Sequence, residues 1–264
     1  MKTSLAVDNY DWLKTAAILL VVVDHTGYFF IEDAAWWSVF GRMAAPTFFF
    51  LLGYAHSRAI PVRWLWLGLI LTVLDSWNND WDWVAPNILF SLALIRFARP
   101  YVLGLLQQYK WAALGVLAFV LIAMLPMASE LVDYGSEGWL WALFGLCQRM
   151  YVDDKATDPA APQHAKTPDW GLMRLLACVI AAVVYLWQEQ LEFEFTDVQL
   201  AAVVFGVGAL SLWLCLFMRG PSRIQPPEHI STVLRFVGRH TLEIYAFQLA
   251  GSELIINWFP NLAP

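Results

Sequence analysis

The chain has 264 residues, of which 59% are hydrophobic and only 14% charged, with 15 Trp and 17 Phe. Ordinary soluble domains carry about 25% charged residues, so this composition excludes a water-soluble globular domain. The net charge of −6 says less than the placement of the charges along the chain. The hydrophobic residues fall in blocks of about 20, the length a helix needs to cross the hydrocarbon core. A β-barrel would alternate polar and apolar residues with period two.

In chain order, the blocks predict about nine spans, over residues 10–30, 36–55, 61–77, 83–98, 111–128, 138–151, 168–188, 197–218 and 233–259. The fourth and sixth are short. The first has no small-residue cleavage site before its polar residues, so it reads as a retained span and not a signal peptide. The polar stretch at about 152–168 is rich in Pro, Ala and Asp and reads as a flexible cytoplasmic loop. No second domain interrupts the pattern, so residues 1–264 read as one transmembrane domain. Cys147, Cys178 and Cys215 lie inside hydrophobic blocks without metal-ligand spacing, and no metal is expected.

The connecting segments alternate in charge. Fifteen of the sixteen basic residues fall at the amino end and in every second loop: Lys2, Lys14, Arg58, Arg63, Arg96, Arg99, Lys110, Arg149, Lys155, Lys166, Arg174, Arg219, Arg223, Arg235 and Arg239. The intervening loops are acidic, with Asp75, Asp80 and Asp82 in one, Glu130, Asp133 and Glu137 in the next and Glu189, Glu192, Glu194 and Asp197 in another. Basic loops stay in the cytoplasm, so the amino end is expected inside and the carboxyl end outside. The remaining cation, Arg42, lies within the second span.

Ionisable groups inside spans cost about 2.5–3.5 kcal/mol even on permissive scales and mark functional candidates. Here they are Asp24, His25, Arg42, Glu243 and Glu253, with Asn87, Ser91, His240 and Gln248 as polar company. Glu253 reads as interfacial, and Asp75, Asp80 and Asp82 as a solvated loop. His25 lies about 22 Å along the outward-running first span, and Arg42 about 9 Å below the outer end of the second. Asn87 is similarly early in the fourth, so the three converge on the outer half of the bundle. Neighbouring helical residues point about 100° apart, so Asp24 is assigned to Arg42 and His25 to the cavity. A histidine there is a general base, with Asn87 or Arg42 as oxyanion donor. No nucleophile elbow, metal cluster or phosphate loop is present.

The segments DWLKTAAILLVVVDHTGYFF, FGRMAAPTFFFLLGYAHSR and NILFSLAL resemble, in that order, the signature segments of the TraX family. Those are bacterial inner-membrane proteins named for acetylation of a conjugative pilin amino terminus, within the wider membrane acyltransferase group. The closing GRHTLEIYAFQL (238–249) is similar to the last helix of acyltransferase-3 proteins. The family's Asp-His pair falls on Asp24 and His25, its Gly-Arg before a Pro-aromatic run on Gly41, Arg42 and Pro46, and its Asn-Ile-Leu-Phe segment on Asn87 to Phe90. Ala45 departs from the pattern, standing where the family usually has Phe.

The resemblance implies a membrane-embedded acyltransferase of the bacterial inner membrane, with acetyl-CoA as donor and His25 as base. The acceptor is then an amine or hydroxyl at the outer face, such as a pilin amino terminus or an envelope glycan. The charge map offers Arg58, Arg63, Arg96, Arg99, Arg235 and Arg239 as cytoplasmic contacts for CoA, of which Arg58, Arg96, Arg99 and Arg239 are the chosen candidates. The bilayer and the acceptor are the expected partners, and nucleic acid is not. Two other readings stand beside this one: a catalytically silent subunit packed into a larger membrane complex, and a small transporter using the same polar cavity.

Overall fold

The computed structural model describes residues 6–32, 34–82, 84–156 and 169–259. Apart from one β-bridge between Asp8 and Pro221, the regular structure among these residues is helical. In order the helices are α1 (Asn9–Phe30), α2 (Ala35–Gly41), α3 (Ala44–Tyr54), α4 (Val62–Asn78), α5 (Ile88–Ala123), α6 (Leu125–Leu131), α7 (Gly135–Ala156), α8 (Trp170–Phe193), α9 (Asp197–Cys215), α10 (Glu228–Arg239) and α11 (Thr241–Trp258). Four of them, α1, α5, α8 and α9, are long and apolar enough to cross a membrane. Large apolar side chains point outward in number, among them Phe119, Phe205, Leu212 and Phe247. Water would not tolerate so much exposed apolar surface, and lipid does.

Local chemistry sets the helix ends. Asp8 caps α1 in a reciprocal box with Asp11, and Thr196 caps α9 in the same way with Gln199. Asn87 caps α5 through Leu89 N–H. The predicted second span is broken between Gly41 and Ala44 into α2 and α3. The last predicted span divides at His240. Its first part, α10, is amphipathic, with Leu234 buried against the bundle and Val233 and Phe236 exposed.

The predicted spans 83–98 and 111–128 correspond to α5, whose two limbs meet at Lys110 in a non-helical conformation (φ 50°, ψ −121°). The second limb returns along the first, because Leu94 and Val102 share a cavity wall with Leu117, Leu121 and Met124. The start of the expected flexible loop is ordered: residues 152–156 continue α7. The rest of that loop, 157–168, lies outside the described residues.

α3 and α7 form the centre. Gly53 lies against the carbonyl of Ala142, and Gly145 against the carbonyl of Phe50; a side chain at either would overlap backbone at 1.9 and 2.1 Å. Only glycine allows the two helices to approach this closely. Residues 137–149 of α7 are buried except Trp139.

Polar contacts sort the bundle into two ends. At one, Arg149 donates to the Ala55 carbonyl at 3.0 Å, Arg174 to the Cys215 carbonyl at 2.6 Å, and Asn9 to the Met218 carbonyl at 2.9 Å. This basic end joins the starts of α1 and α8 to the ends of α3, α7 and α9. At the other, Asp133 N–H donates to the Pro86 carbonyl at 3.0 Å and Asn78 to Glu253 at 3.4 Å. This acidic end joins the start of α5 to the ends of α4 and α11.

Candidate functional site

α1 and α2 cross tightly at the acidic end because Gly41 has no side chain. A Cβ there would lie 2.3 Å from Asp24 Cγ. The crossing seats the Asp24 carboxylate against the next residue of the chain, Arg42, whose Nη2 donates to Asp24 Oδ2 at 2.7 Å. Arg42 Nη1 reaches a second carboxylate, Glu189 Oε2 of α8, at 3.0 Å. Its Nε donates to the Ser38 carbonyl, and its guanidinium lies over the Phe193 ring at 4.3 Å. Tyr185 Oη donates to the Arg42 carbonyl at 2.7 Å. The side chains of Arg42 and Glu189 are almost fully buried, at 8% and 3% exposed. One buried cation is thus balanced by two carboxylates from different helices, the arrangement that offsets the desolvation of a buried charge.

His25 points the other way round α1. Its Nδ1 lies 2.7 Å from Gln248 Oε1 of α11, and its ring packs against Phe29 and Tyr245. An amide oxygen only accepts, so with this orientation of the Gln248 amide the matching tautomer carries its proton on Nδ1 and leaves the lone pair on Nε2. His25, Asp24 and Arg42 all line one cavity of about 660 Å³. Ala45 is on its wall, where a phenylalanine ring would take up part of the space.

Asn87 is on the same wall, but its amide is committed to the fold. Its Nδ2 donates to the Gly68 carbonyl at 2.7 Å and to Thr72 Oγ1 at 3.1 Å, both on α4. Its oxygen caps α5.

The cavity is more acidic than the sequence reading anticipated. Asp75, Asp133, Glu137, Glu192 and Glu253 line it, whereas the sequence assigns the first four to external loops. Glu137 is 8% exposed, and its Oε2 is buried without a hydrogen-bond partner. Asp133, in the turn between α6 and α7, has its carboxyl pushed up to about 6 by lost solvation and by Glu192. The signal for Glu189 and Glu192 was their spacing from Tyr185. These residues recur every three or four positions and share a face, provided α8 runs past 188.

None of Arg58, Arg96, Arg99 and Arg239 lines this cavity. Arg58 and Arg239 are exposed. Arg96 stacks over Trp64 at 5.0 Å. Arg99 is buried and donates to the carbonyls of Leu52, Ala55, His56 and Ser57. Those are the open carbonyls at the end of α3 and just beyond it, so Arg99 fits a capping role and not a phosphate contact. Arg63 pairs with Glu243 at 2.5 Å. Tyr10, Phe50, Tyr54 and Phe217 pack as an aromatic cluster at the basic end of the core.

The family model described as TraX protein matches residues 9–166. A protein TraX from Escherichia coli is 32% identical over 179 residues, covering 66% of this chain and 63% of that protein. The protein TraX of Escherichia coli strain K12 is 30% identical over 89 residues, 32% of this chain and 36% of that one. An uncharacterized protein of Rickettsia prowazekii (strain Madrid E) is 27% identical over 129 residues, 48% of this chain and 51% of that one. The chain therefore spans between about a third and just under two thirds of the length of these relatives. No solved structure matches.

Proposed function

The chain belongs to the TraX family, and from that membership and the cavity around His25 we propose that it is a multi-pass acyltransferase of the bacterial inner membrane. In this reading it moves an acetyl or similar acyl group from CoA to an acceptor at the outer face. The observation that carries the reading is the His25–Gln248 hydrogen bond, which fixes the imidazole on the wall of a 660 Å³ cavity that also holds Arg42. The basic end faces the cytoplasm, following the charge bias of the loops, and the cavity opens toward the outer half.

The residues divide the work as follows. His25 Nε2 takes the proton from the acceptor as its nitrogen or oxygen attacks the acyl carbonyl, the thioester C–S bond then breaks, and the departing CoA thiolate takes that proton from His25. Arg42 has five N–H groups, three of which are committed to Ser38, Asp24 and Glu189. The other two are placed to stabilise the developing oxyanion. The five further acidic groups on the wall attract a positively charged acceptor, which passes one proton to a carboxylate there before its nitrogen attacks, so an amine is preferred to a hydroxyl. A pilin amino terminus or an amino group on an envelope molecule fits that chemistry. The donor is CoA-bound, with Arg58 and Arg239 as its exposed phosphate contacts. The aromatic cluster of Tyr10, Phe50, Tyr54 and Phe217 packs at the basic end and does not line the cavity.

The test is reconstitution with acetyl-CoA on the basic side and mass analysis of acyl products on the other. The His25→Ala variant is expected to lose roughly 10²–10⁴-fold in transfer while its expression and unfolding temperature stay unchanged. Wild-type protein that neither binds acetyl-CoA nor forms product would overturn the reading, as would intact transfer by His25→Ala.

A further inference from the structure

A second cavity, of about 470 Å³, lies between the two limbs of α5 and helices α6 and α7. Its walls are hydrocarbon almost throughout, with Leu94, Val102, Leu117, Leu121 and Leu146 typical of them. Among the described residues Arg99 and Ser136 are the charged and hydroxyl-bearing side chains on it. The guanidinium of Arg99 is already committed to four backbone carbonyls. A polar ligand would lose its hydration here and find no partner. An empty space of this size would be costly among close-packed helices.

What fills it is indicated by where it opens. Leu94, Val120, Met124 and Leu131 line the slot and are also between 38% and 51% exposed on the outside of the bundle. The mouth is therefore continuous with the outer apolar surface of the two limbs of α5, whose composition is that of a membrane span. The neighbour at that surface is lipid. We propose that the slot binds one hydrocarbon chain of a membrane lipid, taken in sideways from the bilayer.

The site has a defined inner end. Gly135 and Ser136 line both this slot and the cavity of His25. The turn between the two spaces carries Tyr134 in a left-handed conformation, φ 56°. Asp133 N–H donates to the Pro86 carbonyl at 3.0 Å, and Ser91 Oγ donates to the Asp133 carbonyl at 2.6 Å, which pins the turn to the start of α5. A bound chain thus braces one turn of backbone whose other side faces the candidate reaction site. The lipid site does not depend on the acyl-transfer reading.

The experiment places the full chain in phosphatidylcholine vesicles doped with a phospholipid bearing a diazirine in mid-chain. After photolysis, adducts are mapped by peptide mass spectrometry. Adducts on Val102, Leu117 and Leu121 are expected to exceed those on the open face of α9, at Phe205 and Leu212, by about tenfold, a modest site preference. Leu117→Trp, or Val102→Trp if the first fails to fold, should lower the slot adducts to the α9 level and leave the α9 adducts unchanged. Equal labelling of the slot and α9 in the wild-type chain overturns the proposal, whether or not either variant folds. So does undiminished slot labelling in the folded variant.

Discussion

Arg42 and Arg99 are the same residue with nearly the same burial, 7% and 5% exposed, at opposite ends of one bundle. Arg99 faces backbone carbonyls at and beyond the end of α3, where a cation complements both the open acceptors and the helix dipole. Arg42 faces two carboxylates on two other helices and lines a cavity. Burial alone therefore does not separate a structural arginine from a candidate site residue. The partner does. A guanidinium among carbonyls completes a fold, whereas one among carboxylates, with donors left over, sets up a charged pocket.

The largest expected effect tests the Arg42 side of that contrast. The double variant Asp24→Asn with Glu189→Gln leaves a buried cation without compensation and should lose about 3–5 kcal/mol, read as a collapse in unfolding temperature in detergent. Either single variant keeps one carboxylate and should lose about 1–3 kcal/mol. A double variant as stable as wild type would mean that Arg42 reaches solvent or headgroups, and the contrast would fail. On the other side, Arg99→Ala should cost about 3 kcal/mol through the unsatisfied carbonyls of 52–57. Arg99→Lys should recover only part of that, because an ammonium lacks the planar fork that spans several acceptors.

A smaller effect is expected at the crossing that brings Asp24 to Arg42. Gly41→Ala forces a methyl into the Asp24 carboxylate, which stands 2.3 Å from the Cβ position. The helices must part, at about 1–3 kcal/mol. If the ion pair matters to transfer, Gly41→Ala should lower activity further than its loss of stability explains, measured at a temperature where the variant is fully folded.

How much of this was legible in the sequence depends on where each residue's partner lies. The Asp24–Arg42 pair could be read because each is an unusual charge inside an apolar run, at matching depth on neighbouring spans. His25 could be read for the same reason. Asp133 and Glu137 could not, because acidic residues next to span ends look like solvated loops, and the spacing of Glu189 and Glu192 from Tyr185 is a signal only once α8 is known to run past 188. Only the extension of α8 to Phe193 and the return of the α6–α7 turn against α5 carry them inward. Asn87 was legible as a special position but not in its job, since its partners Gly68 and Thr72 sit in an unremarkable apolar helix. Arg99, Arg149 and Arg174 meet backbone carbonyls at the basic end, among the residues that charge alternation groups together, but which of those residues hold carbonyls is a matter of side-chain reach that spacing does not encode. The breaks in the second and last predicted spans were invisible to hydropathy, which sums over a window and does not register a two-residue interruption.

The last expected effect depends on pH and concerns whether the acidic wall is dry. Asp133 titrates at about 6 in the folded chain against an ordinary 3.8, because burial and Glu192 oppose its charged form more than the Ile88 and Tyr134 backbone N–H groups favour it. Between those two values the native chain holds a proton that the unfolded chain has released. Stability from this group therefore falls as pH rises from about 4 to about 6 and stays low above that. Asp133→Asn removes the titration while keeping an oxygen for the backbone donors. The variant should gain on wild type as pH rises across that window, with the largest difference in unfolding temperature near pH 7 and almost none near pH 4. A difference that is flat across the range would mean that water reaches Asp133 and screens Glu192. The carboxylates would then act as a solvated rim, and the preference for a cationic acceptor would lose its support in a dry acidic wall.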